Sequence, residues 1–427
     1  MKLLDQVILF VNRSSVQIST NSFLTKIGSL LISLTCTYVL GFAIFGGSQF
    51  TLATVTLLSS IGTAGLPTLL IRRSVSSNSL KEFRREYAIT IFFVVSVAIF
   101  ILNINQSFRI HITTTGLLMP NQYGTLCRII IFWALALSFN SILLSLATGV
   151  WESPAVRRLG FLRIIFSLVI ALISLVTKPN FLTYVFMLGS IEIVIFIFSL
   201  LFVSQALRSR SIQQSSYENS NVNHKTIIAI AAVNLVLSYS LFMLQSRIFG
   251  QVNGDIISGQ YNLLLKLASV LTFVPGALAT SLIPKITSRR FAVRKSLIDS
   301  ILLSFAWFIA ASVAVGEAAL FLFRHSDSPN YSWNIFMSLL CMYAGASIFN
   351  NIFSNLSIAL NRLYLWMLSD IFFSLIILIP LYIFLPKISG SSAIILQSVA
   401  YLGSGLVILI VLSCMRITNS DLRVQRN

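Results

Sequence analysis

Charge is scarce in this sequence. Only 10% of its 427 residues are charged, where an ordinary soluble domain carries about 25%. Acidic residues are scarcest, with 12 Asp and Glu against 30 Lys and Arg. Four cysteines (Cys36, Cys127, Cys341, Cys414) lie far apart, mostly inside apolar runs. They make neither a metal-ligand spacing nor a disulfide framework, so they read as apolar filler. The three histidines (His111, His224, His325) form no H-x-x-x-H pattern. No nucleophile–base or metal constellation is present, which argues against an enzyme and leaves no catalytic residue, metal or cofactor to expect. A polar domain carrying a basic stripe for nucleic acid is also missing. The net charge of +18 is spread in short clusters between apolar runs.

Apolar residues make up 56% of the chain, including 33 Phe. A single soluble core cannot absorb that much, so the expected fold class is an all-α integral membrane protein. Twelve runs are long enough to span roughly 30 Å of hydrocarbon at about 1.5 Å per residue. They lie near 23–45, 50–71, 88–105, 125–149, 161–177, 181–203, 226–248, 259–283, 298–323, 334–358, 365–385 and 392–414. The runs are continuous, without period-two alternation, which favours helices over a barrel. The first 22 residues carry polar breaks every few positions and are not expected to be a removable signal.

Orientation follows from the connections. One side, or membrane near it, holds Arg109, Arg128, Lys178, Arg247, Lys266, Arg324 and Lys387, which is 7 of the 30 Lys and Arg. The other 23 fall towards the opposite side, in stretches such as 72–86, 152–158 and 284–295. The positive-inside rule makes that side cytoplasmic, with both termini there. The longest cytoplasmic connection, 205–225, is rich in Ser, Asn and Gln and reads as a linker. It divides the chain into an N-terminal six-helix lobe (1–204) and a C-terminal one (226–427). GSQFTLATVTLLSS from Gly47 and GQYNLLLKLASVLT from Gly259 match loosely at the mouths of the second and eighth runs. Parallel repeats around a central cavity are expected from this arrangement.

SRIFGQVNGDIISGQYNLLLKLASVLTFVPGALATSLIPKI (246–286) resembles the seventh-to-eighth hairpin of the multidrug/oligosaccharidyl-lipid/polysaccharide exporter superfamily. The resemblance is to its polysaccharide flippase branch, of the Wzx O-antigen transporter type. The branch pattern falls here on Arg247, Gly259, Tyr261, Lys266, Pro275 and Pro284, and GSQFTLATVTLLSSIGTAGLP (47–67) is similar to the matching second helix. The Asp of that branch's Asp-Arg pair is absent, since Ser246 precedes Arg247. The resemblance implies a bacterial inner-membrane flippase serving O-antigen, lipopolysaccharide or related polysaccharide biosynthesis. Its substrate would be an undecaprenyl-diphosphate-linked oligosaccharide. Its surroundings would be membrane lipids, with polysaccharide polymerase and chain-length proteins as partners.

Ionisable residues within the runs are the candidate site. Lys266, about 10 Å along its helix from Gly259, either snorkels to the headgroups or faces a wet cavity; the cavity is the preferred reading. Arg247 and Arg128 are further candidate cavity cations, each with an interfacial-anchor alternative. Glu192, near the middle of its run, has no opposite charge at i±3 or i±4, so any partner is on another helix. Glu317, expected in the layer of Lys266, is the other candidate for a coupling or ion-pair role. Pro67 and Pro275 interrupt the second and eighth runs as candidate hinges. Three functions are therefore carried forward. The first is a lipid-linked oligosaccharide flippase with a basic cavity. The second is a multidrug or cation exporter of the same superfamily, which would use cavity acids such as Glu192. The third is a membrane polysaccharide polymerase, ranked last because the outer connections are short.

Overall fold

The computed structural model describes residues 14–63, 117, 119–149, 153–209, 224–273, 275–276, short stretches between 302 and 317, 333–359, 362–383 and 388–414. The expected run at 88–105, Pro67 and the basic loops at 72–86 and 284–295 lie outside these residues. The helices are α1 (Ser14–Thr63), α2 (Tyr123–Gly149), α3 (Ser153–Thr177), α4 (Phe181–Ser209) and α5 (His224–Phe249), then α6 (Gly254–Leu271), α7 (Trp333–Ala359), α8 (Leu363–Ile383) and α9 (Gly390–Cys414). A single 3₁₀ turn, Pro120–Gln122, leads into α2. No strand occurs among the described residues, and eight of the helices are long and apolar enough to cross a membrane. The expected linker is helical at both ends, because α4 runs to Ser209 and α5 begins at His224.

Helix α3 shows why the chain needs lipid. Phe161, Ile165, Leu168, Leu172 and Val176 are exposed along one stripe at helical spacing, while Ser167 and Ser174 are buried on the opposite face. Water would penalise that apolar stripe, whereas hydrocarbon leaves it unopposed. Ser167 is satisfied within its own helix, donating to the Arg163 carbonyl at 2.7 Å, as Ser33 does to Ser29 in α1. Small hydroxyl residues on the inward face let helices approach closely. The fold is thus an all-α, multi-pass membrane fold.

The first two expected runs form one 50-residue helix, α1, with its interruption at Gly41 rather than at 46–49. Gly41 adopts φ 86 and ψ 168, a region open essentially to glycine alone. An unbroken helix would put Thr25 and Leu52 roughly 40 Å apart. Both line one cavity of about 210 Å³, so the two arms bend back beside each other at Gly41. Among the described residues, no atom lies within 4 Å of where a Gly41 Cβ would sit. Gly41→Ala is therefore expected to cost about 1–3 kcal/mol through backbone strain alone. The check is the thermal unfolding midpoint in detergent; an unchanged midpoint would mean that the bend does not depend on this conformation.

The described helices group into two compact units, Met1–Lys266 and Leu267–Asn427. Residues 226–266, expected with the C-terminal lobe, pack in the first unit because α5 lies against α1. Phe50 of α1 stacks on Phe249 of α5 with ring centroids 4.5 Å apart, and Phe242 follows at 6.0 Å. Val55, Leu58, Leu126, Ile130, Trp133, Phe181 and Val185 complete that core from α1, α2 and α4. In the second unit α9 packs against α7 and α8. There the Asn350 Oδ1 accepts from Ser404 at 2.9 Å, from Ser354 at 3.4 Å and from Ser369 at 3.5 Å. Helix α6 ends at Leu271, four residues before Pro275, whose ring nitrogen cannot donate to the Leu271 carbonyl.

Candidate functional site

The two stretches matched in the sequence meet in the first unit. A Cβ on Gly46 would collide with the Asp255 carbonyl oxygen, and one on Gly259 would collide with the Phe42 carbonyl oxygen. Two helix backbones can approach this closely only where neither carries a side chain. Around this approach Ser258 donates to the Gly46 carbonyl at 3.4 Å. Gln245 of α5 and Asn262 of α6 exchange amide hydrogen bonds at 2.9 and 3.1 Å. The Gly-Gln-Tyr-Asn stretch is therefore packing: Gly259 lets α1 in, Tyr261 is buried, and Asn262 joins α5.

This approach aims α6 so that Lys266 enters the cavity of about 210 Å³ between α1, α2, α3 and α4. Its Nζ donates to the Ser29 Oγ at 2.9 Å. Gln49 and Trp133 contribute to the same wall. Across the cavity Arg163 of α3 meets Glu192 of α4, with Nη2 at 2.6 Å from Oε2 and 2.8 Å from Oε1. The side chains are 23% and 15% exposed. Asn140 of α2 secures the carboxylate from another side. Its Nδ2 donates at 2.8 Å both to Oε2 and to the Glu192 main-chain carbonyl. Arg163 and Leu137 also line a second cavity of about 200 Å³, which continues past Asn140 and Ser199.

The α3–α4 hairpin dictates this pairing. Arg163 lies roughly 20 Å before the turn at 178–180, and Glu192 a comparable distance after it, at about 1.5 Å per residue. They reach the same depth on facing helices. Among the described residues, the charged groups lining the first cavity are Arg163, Lys266 and Glu192, a formal balance of one positive charge. Such a site can hold an anion between a guanidinium and an ammonium.

Of the residues singled out in the sequence, Lys266 and Glu192 are brought together on one cavity. The partner of Glu192 is indeed on another helix. Lys266 shares its cavity with Glu192. Glu317 is an exposed residue of the second unit. Arg128 is exposed on α2. Arg247 is half-buried near the end of α5, and its Nε has no hydrogen-bond partner among the described residues. Neither arginine lines either of the two cavities. Sequence reasoning missed Arg163, which follows the basic stretch 152–158 closely. The usable signal was Glu192 itself: a mid-span acid calls for a cation at equal depth on the preceding hairpin arm.

No protein-family model matches the sequence, and no curated protein matches it either. Solved structures do. A multidrug resistance transporter of the MATE family within the MOP superfamily, in an inward-facing conformation, superposes with a TM-score of 0.61. Its identity is 13%, over 94% of this chain and 96% of its own. The lipid II flippase MurJ, in an inward closed conformation, gives 0.62 at 13% identity, over 93% and 87% of the two chains. A MOP superfamily transporter from Pyrococcus furiosus, described by a reversed polarity of its binding pocket and a different function, gives 0.53 at 15% identity over 96% and 95%. At these identities the likeness is one of fold.

Proposed function

We propose that this protein is a flippase that carries an anionic, lipid-linked oligosaccharide from the cytoplasmic to the periplasmic leaflet of a bacterial inner membrane. The observation that carries this reading is the cavity of the first unit, where among the described residues Lys266 and Arg163 outnumber the one acid, Glu192. An undecaprenyl diphosphate headgroup offers the permanent negative charge that such a cavity attracts. The fold shared with the lipid II flippase MurJ supports a lipid-linked cargo. In this reading two six-helix lobes alternate access, Pro67 and Pro275 permit the bending, and the basic connections lie in the cytoplasm. Polymerase and chain-length proteins would then consume the delivered unit.

A second reading, export of organic cations, is favoured by the fold shared with multidrug MATE transporters. It would use Glu192, but that carboxylate is already engaged by Arg163 and Asn140. The deciding experiment is cell-surface polysaccharide in a strain lacking the native copy, with membrane abundance measured in parallel. Lys266→Arg keeps the charge and is expected to retain much of the activity. Lys266→Gln and Lys266→Glu are expected to lower surface polysaccharide by roughly tenfold or more at normal abundance, the loss of about one charge-assisted contact. Normal polysaccharide from the Gln variant would refute the role of Lys266. Efflux of a cationic dye that depends on Glu192 and not on Lys266 would favour the exporter.

A further inference from the structure

We propose that Glu192 is an internal counter-anion: it occupies the one nitrogen that both gripping edges of the Arg163 guanidinium require, so a ligand binds by exchanging its own anionic group for this carboxylate. The inference rests on the reading of the cavity as a site for an anionic headgroup. It narrows the chemistry of that headgroup to phosphate or diphosphate, as opposed to the carboxylate of an acidic sugar.

The geometry of the guanidinium carries the argument. Its donors sit on Nε, Nη1 and Nη2. An oxyanion can accept two parallel bonds across the Nη1–Nη2 edge or across the Nε–Nη2 edge; the third edge is blocked by Cδ. Nη2 belongs to both usable edges. In this structure both carboxylate oxygens of Glu192 converge on Nη2, at 2.6 and 2.8 Å. Among the described residues, Nη1 and Nε bond to no side chain or carbonyl. Glu192 therefore blocks both edges with one contact and leaves most of the donor capacity of Arg163 unspent. Arg163 lines both cavities, so its side chain borders space on two sides.

Exchange leaves Glu192 with part of its partners in place. Asn140 keeps donating to its Oε2, and Lys266 lines the same cavity. The energetics then select the ligand. A carboxylate arriving at Arg163 replaces a carboxylate and gains little beyond what it displaces, while its ordering opposes binding. A diphosphate brings more charge and more acceptor oxygens, which suits it to engage Arg163 and Lys266 together. Glu192 thus sets a threshold that weak anions do not pass.

The test is calorimetric binding to the full chain in nanodiscs, at constant ionic strength, with inorganic pyrophosphate and malonate as probes. The wild-type protein is expected to prefer pyrophosphate by roughly tenfold or more. Glu192→Gln still accepts from Asn140 but no longer competes as a charge. It is expected to tighten malonate binding by roughly tenfold and pyrophosphate by less, narrowing the ratio. Glu192→Asp, whose shorter arm retracts from Nη2, is expected to move both affinities the same way and covers the case in which the Gln variant does not fold. Arg163→Lys keeps a cation beside Glu192 but has no fork. It is expected to lose roughly tenfold in pyrophosphate affinity at unchanged thermal stability. If Arg163→Lys and Lys266→Gln weaken pyrophosphate while both Glu192 variants leave affinities and ratio unchanged, the counter-anion role is overturned and the anion site stands. If neither the wild-type protein nor Glu192→Gln binds pyrophosphate, the anion site falls as well.

Discussion

Gly46→Ala is expected to lower the unfolding midpoint of the protein, at a cost of about 1–3 kcal/mol, although it adds one carbon to a helix. Alanine ordinarily favours a helix over glycine. Here the new methyl would fall on the main-chain oxygen of Asp255, with the Gly259 nitrogen 2.7 Å away. Neither is the tip of a side chain that can rotate aside. The arms of α1 and α6 would have to part, loosening the contact between Ser258 and the Gly46 carbonyl and tilting Lys266 away from Ser29. Gly259→Ala should behave alike, because its methyl would fall on the Phe42 carbonyl. The control is Gly345→Ala in α7, where no atom of the described residues lies within 4 Å of the added carbon. That change is expected to be neutral or to stabilise by up to about 1 kcal/mol. Thermal unfolding in detergent compares the three; a midpoint for Gly46→Ala equal to that of Gly345→Ala would show that the close approach contributes nothing.

Arg163→Met is the second large effect expected. It leaves Glu192 on a largely buried site with Asn140 as its remaining side-chain donor. Removing one member of a fully buried pair typically costs about 3–5 kcal/mol. The cavity beside this pair and the retained amide bond reduce that to about 2 kcal/mol. Arg163→Met combined with Glu192→Met removes the stranded charge as well as the pair. The double variant is expected to recover most of the lost stability, with a coupling of roughly 1–2 kcal/mol across the mutant cycle. If the double variant is as unstable as the single one, packing of the arginine stem, and not the ion pair, holds α3 against α4.

Gly46 and Arg163 also mark where reading the chain in one dimension stops. Each helix in a membrane must satisfy its own backbone, so a span leaves a local trace, a long apolar run, and α2 to α5 and α7 to α9 fall close to the runs that foretold them. The same reasoning located Glu192 as a mid-span acid in need of a partner on another helix. It misplaced the first bend by several residues, because Gly41 lies within one apolar stretch and nothing in hydropathy distinguishes it from Gly46 or Gly47. Pairing across helices depends on rotation about each axis and on depth, and apolar composition encodes neither. Arg163 and Glu192 are 29 residues apart, Asn140 and Glu192 are 52, and Lys266 and Ser29 are 237. The sequence alone determined that the chain is a bundle of membrane helices holding a few costly charges. Only the packing of α1 on α6 at glycines, and of α3 on α4 at equal depth, decided which of those charges share a cavity.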